Sequence, residues 1–152
     1  MKMRKGFTLV ELLIVIVIIG VLAAAMLLSM GSATASAKAT TIISDLRSMK
    51  SALLLLYADS MDNMPAVGNA LTAIHAYIDN PSKYTAANGY AIEENTAKNK
   101  WSVSYDTTKL AAADQKGVQD KLKEKAESVG LYKDKEVTDK YDGGAKVFMV
   151  AR

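Results

Sequence analysis

One carboxylate in this chain stands where water is scarce. Glu11 lies within residues 7–28, a run of 22 residues in which only Thr8, Glu11 and Gly20 are not plainly apolar. A charge in such a segment costs on the order of a few kcal/mol near a bilayer centre and less toward its edge, so it reads as functional and needs a partner. The run contains no cation. A partner can be created, however. Cutting the chain between Gly6 and Phe7 frees an α-amine four residues before Glu11, which on a helix is one turn away. The pair can form within one chain, or between an incoming chain and its neighbour.

Other residue types that do chemistry point nowhere so specific. The only histidine, His75, sits between Ile74 and Ala76 and reads as structural or simply exposed. There is no cysteine, hence no thiol nucleophile and no disulfide staple. No G-x-S-x-G, Walker loop or H-E-x-x-H occurs. Asp139 and Asp142 before Gly143–Gly144 hint at a calcium loop, but a solvated turn ahead of a strand is the better reading. Trp101 and the seven tyrosines read as core and surface aromatics. The lysines near 116–125 are interleaved with Asp120, Glu124 and Glu127, which makes a solvated face and not a nucleic-acid interface. The expectation is a chain that is not an enzyme and holds no metal or cofactor.

The elements that must position Glu11 follow from periodicity. At about 1.5 Å per residue, residues 7–28 span roughly 33 Å as a helix, close to the hydrocarbon thickness of a bilayer. The small residues at 29–41 contain no proline and propagate a helix. From Ile42 onward Ile43, Leu46, Met49, Leu53 and Leu56 or Tyr57 form an apolar stripe, with Asp45, Arg47, Lys50 and Asp59 mostly off it. This predicts one helix over 7–61, roughly 80 Å long, ending before Pro65. Residues 62–99 read as loop-rich, with a short helix at 70–78. Trp101, Val103 and Tyr105 alternate with serines as a half-buried strand. Val118, Leu122, Ala126 and Val129 make a second helical stripe, with Gly130 at its C′ position. Lys116–Asp120 and Lys123–Glu127 are spaced to pair on its wet face. Gly143–Gly144 turn the chain into a last strand at 147–150.

Charge divides along the same lines. The chain has 19 Lys+Arg against 16 Asp+Glu, and three of the cations, Lys2, Arg4 and Lys5, precede the apolar run. Without them the remainder is neutral, so the excess is a targeting charge that keeps that end cytoplasmic and exports the rest.

Lys5-Gly6-Phe7-Thr8-Leu9-Val10-Glu11, followed by an unbroken apolar helix, resembles the cleavage and methylation signature of type IV prepilins and type II secretion pseudopilins. The resemblance covers about the first 30 residues. It implies a prepilin peptidase that cuts after Gly6 and methylates the new N-terminus at Phe7, and it makes Glu11 the assembly carboxylate. It implies self-association into a helical filament, an inner-membrane assembly platform as partner, and membrane lipid around the apolar segment before assembly. Two departures from the family stand out: Leu28 where many bacterial pilins have a helix-breaking proline, and no cysteines to close the C-terminal region. A secretion-type proline- and tryptophan-glycine-rich C-terminal segment is also not found. That favours a type IV pilin over a type II secretion or competence pseudopilin.

The main rival treats residues 1–37 as an ordinary secretory signal cut near Ala35-Ser36-Ala37. It, and a plain signal-anchored protein, leave Glu11 without a purpose. The expected fold is therefore α+β: a long N-terminal helix, transmembrane in its first half, packed on a small antiparallel sheet with an accessory helix. The expected organisation is a leader at 1–6, a transmembrane and filament-core segment at 7–28, its helical continuation at 29–61, and an exported α+β domain at 62–152. The chain would begin as a single-pass cytoplasmic-membrane protein with its N-terminus inside, and end in a surface pilus or a periplasmic pseudopilus.

Overall fold

The computed structural model describes residues 7–60, 63–95 and 100–152, with the backbone alone at 28 and 29. The leader at 1–6, and Met61 at the expected helix end, lie outside the described residues. The elements in chain order are α1 (Leu9–Asp59), α2 (Val67–Ala73), β1 (Tyr90–Asn95), β2 (Lys100–Asp106), α3 (Ala112–Val129), β3 (Leu131–Tyr132) and β4 (Lys146–Val150), with short 3-10 turns between them. The fold is α+β: a long N-terminal helix, a four-stranded antiparallel sheet in the order β1-β2-β4-β3, and an accessory helix.

Two compact units divide the chain at Thr34 and Ala35. In the first, α1 carries a run that is apolar apart from Glu11 and Gly20 up to Leu28, and the described side chains of that run are exposed. Every large apolar side chain described between Phe7 and Met30 is at least half exposed. By length and composition this part of α1 can cross a membrane. Leaving it in water costs roughly 1.5 kcal/mol or more per side chain, which requires lipid or protein around it.

The second unit runs from Ala35 to Arg152 and builds a core from α1, α2, α3 and the sheet. From α1 come Ala35, Ala39, Ile42, Ile43, Leu46, Met49 and Leu53, of which Ile43, Leu46, Met49 and Leu53 belong to the apolar stripe read from the sequence. β2 lends Trp101, Val103 and Tyr105, and α3 lends Val118, Leu122 and Ala126. Gly117 lets α3 approach closely: a Cβ there would stand 3.2 Å from the Ala35 Cβ. Gly130 ends α3 at φ 78°, its N–H donating to the Ala126 carbonyl, as its place after the stripe predicts.

Several details differ from the sequence reading. Strand β1 was hidden within residues that read as loop-rich. The helix placed at 70–78 starts at Val67 and tightens into a 3-10 turn over Ile74–Tyr77. Ser102 and Ser104 are buried although alternation turns them outward; Ser102 is paired between Glu93 and Val150, and Ser104 between Ala91 and Phe148. The ion pair on α3 is Lys121–Glu124, not Lys116–Asp120 or Lys123–Glu127. The largest departure is Asp45, which is 5% exposed and not off the stripe. It accepts hydrogen bonds from Lys83 Nζ at 2.6 Å, Tyr90 Oη at 2.6 Å and Tyr84 Oη at 3.3 Å. A buried carboxylate is stable only when so surrounded.

Candidate functional site

The first turn of α1 holds the residues that the sequence singles out. Phe7 is exposed and precedes the helix, Thr8 is its N-cap, and Glu11 is its third residue. Thr8 N–H donates to Glu11 Oε2 at 2.8 Å, and Thr8 Oγ1 donates to the same oxygen at 2.8 Å. Glu11 N–H donates back to Thr8 Oγ1 at 3.2 Å. This reciprocal pair is a capping box, in which each side chain satisfies a backbone donor that the helix leaves open. The carboxylate also sits at the positive end of the helix dipole.

The local reason is sequence. Thr8-Leu9-Val10-Glu11 is the T-x-x-E spacing that opens a helix just before an apolar run. This spacing is legible in the sequence, but a threonine is not a cation and so does not stand out as a partner for a carboxylate. The partner inside the chain is Thr8. It explains how an acid is tolerated at this end of an apolar segment: open N–H donors in hydrocarbon cost several kcal/mol each, and Glu11 removes one. Glu11 Oε1 accepts no hydrogen bond from the described residues, so half of the carboxylate is open to a further donor. Gly6, on the other side of the expected cut, lies outside the described residues.

Away from this turn the candidates resolve into structure. His75 Nε2 lies 2.9 Å from the Tyr84 carbonyl and ties two loop segments together. Asp139 pairs with Lys133 at 2.9 Å. Among the described residues no three His, Cys, Asp or Glu side chains converge as metal ligands would. Trp101 is core. Asp45 joins α1 to the 83–90 segment, and Tyr84, Tyr90 and Tyr105 pack in sequence as tilted rings with centroids 5.2 and 4.9 Å apart. Burial, reinforced by the Asp45 carboxylate, pushes the Tyr90 phenol well above the usual tyrosine range.

Compared with known families, residues 1–27 match the prokaryotic N-terminal methylation motif, the hallmark of type IV prepilins and pseudopilins. The matched span takes in Gly6, Phe7, Thr8 and Glu11. No curated protein and no solved structure matches the chain. The motif and the long apolar helix are consistent with a single-pass, membrane-anchored, processed subunit of the pilin and pseudopilin kind.

Proposed function

We propose that this chain is a structural subunit of a type IV pilus-like filament, and not an enzyme. The observation that carries the reading is a methylation motif at 1–27 that runs into a helix whose described apolar side chains up to Met30 are exposed. Prepilin peptidase cuts between Gly6 and Phe7 and methylates the Phe7 nitrogen. Residues 7–28 rest in the cytoplasmic membrane with the N-terminus inside, the rest of α1 continues the helix to Asp59, and the chain beyond it completes the exported domain. On assembly the apolar segment leaves lipid for the filament core, where copies of the same segment surround it. One surface is thus satisfied twice, by lipid and then by protein.

Thr8 and Glu11 give this transfer a mechanism. In the membrane the capping box holds one carboxylate oxygen and leaves the other free. An incoming subunit offers its Phe7 amine to Glu11 of the last subunit in the filament, at the membrane edge where the effective dielectric is low. Any other axial offset leaves a charge buried alone, which is costly, so the pair sets the register between otherwise slippery helices. Repetition of one head-to-tail contact then gives an open helical polymer. The inner-membrane assembly platform would supply each subunit.

The test is a strain lacking the chain, complemented with parent or Glu11→Leu and scored by counting sheared filaments. The parent should restore filaments. Glu11→Leu opens the capping box but makes the segment more apolar, so it should insert and be cleaved normally, yet yield far fewer filaments. Normal filament yield from a correctly processed Glu11→Leu protein would remove Glu11 from the mechanism.

A further inference from the structure

Outside the first unit, the exposed large apolar side chains among the described residues are Leu54 and Leu55, at 41% and 54%. They are neighbours on α1, so they point about 100° apart around the helix. Each opens onto its own groove, and the two grooves differ in charge.

Leu54 lines a groove of about 480 Å³ between α1 and the β3–β4 edge. The charged residues lining it, Arg47 and Lys50, are both cations, and neither makes an ion pair among the described residues. Lys140 adds a third positive charge on that side, 4.5 Å over the ring of Tyr132, which also lines the groove. Leu55 lines a groove of about 290 Å³ between α1 and the segment around Ile78. Its one charged lining residue is the carboxylate Asp79, which makes no ion pair among the described residues. Asp59 lies one turn beyond Leu55, held by the Tyr77 hydroxyl.

We propose that these two flanks of α1 form a heterologous contact between successive copies of this chain, the leucine-and-cation flank of one meeting the leucine-and-carboxylate flank of the next. The proposal rests on the filament reading and adds to it a second interface, in the exported unit. A contact that joins two different patches of one surface repeats without closing, which is what an open polymer needs. The patches are complementary in charge, and each has an exposed leucine to bury. Charges placed this way reject wrong registers more than they add affinity. Two leucines and a few ion pairs bury far less than the roughly 1,200 Å² typical of a stable free complex. The contact therefore forms only once the apolar helices have brought copies together at high effective concentration.

Charge reversal in the full chain, expressed in a strain lacking the parent, tests this. Arg47→Glu with Lys50→Glu should lower the yield of sheared filaments about tenfold at unchanged levels of processed subunit, and Asp79→Lys should do likewise. All three substitutions together should restore at least about half of the parental yield, since the charges are again opposite. The restored variant guards against simple misfolding, because a destabilised fold would not recover on adding a third change. Parental yield from both reversals, or a combined variant no better than either part, would overturn the interface. So would reversals that leave filaments intact and abolish retardation of a DNA oligonucleotide by the purified chain, which would assign the cationic flank to nucleic acid. Absence of filaments from the parent itself would instead refute the filament reading.

Discussion

Glu11 is a residue with two calls on its carboxylate. Thr8 satisfies one oxygen through its N–H and hydroxyl, and the other accepts no hydrogen bond from the described residues. The balance predicts graded effects. Thr8→Val removes the hydroxyl from both sides of the capping box at a cost of about 1 kcal/mol, so the first turn frays and filament yield falls part-way. Thr8→Ser keeps both hydrogen bonds and should stay near the parent. The comparison is filament yield per unit of processed subunit. Equal yields from Val and Ser would show that the cap plays no part in assembly. The same turn shows what sequence made legible at this scale. Glu11 stood out because a carboxylate is out of place among Ile, Val and Leu. Its actual partner did not, because a threonine beside an apolar run carries no charge to draw the eye.

Among the elements, α1 was legible almost to its ends. Its stripe of Ile43, Leu46, Met49 and Leu53 is long and regular, and α3 followed from Val118, Leu122 and Ala126 in the same way. Strand β1 was not legible, since Tyr90–Asn95 follows a run of turn residues and carries Glu93 and Glu94. Its identity depends on pairing with β2, a non-local fact. Asp45 was missed for a related reason: its burial is justified by Lys83, Tyr84 and Tyr90, some 40 residues away. This network predicts a large effect. Asp45→Ala strands two buried phenols and leaves the Lys83 ammonium without its carboxylate, costing about 3 kcal/mol. Thermal melting of the unit from Ala35 to Arg152 should shift down on the order of 10 °C. A shift within a degree or two would mean that the tyrosines re-pair with water at no cost.

For the molecule as a whole, the proposed function assigns polymerisation to the apolar run and folding to the unit that follows it. A fragment lacking residues 1–30 keeps the unit that begins at Ala35 and should be soluble, monomeric and mixed helix and strand by circular dichroism. Filaments from that fragment would contradict a polymer built on the N-terminal helix. Its stability should also fail in base. Burial pushes Tyr141 up to about 12 and raises Tyr84, Tyr90 and Tyr105 as well. Tyrosines that stay neutral in the fold but ionise near pH 10 when unfolded contribute stability that is fully present below that pH. It is lost as pH rises through the folded values. Denaturant midpoints should therefore be flat with respect to these groups up to about pH 10 and decline above it. A midpoint that held constant to pH 12 would show that the phenols are not protected.

The central claim is that the chain is processed at the Gly6–Phe7 bond and enters its filament with a methylated N-terminus. Intact mass and N-terminal sequencing of the protein extracted from native membranes test it in one step. The account predicts a chain that begins at Phe7 and carries one N-methyl group. A chain beginning near Ala35–Lys38, or one retaining Met1–Gly6 in assembled material, would contradict it.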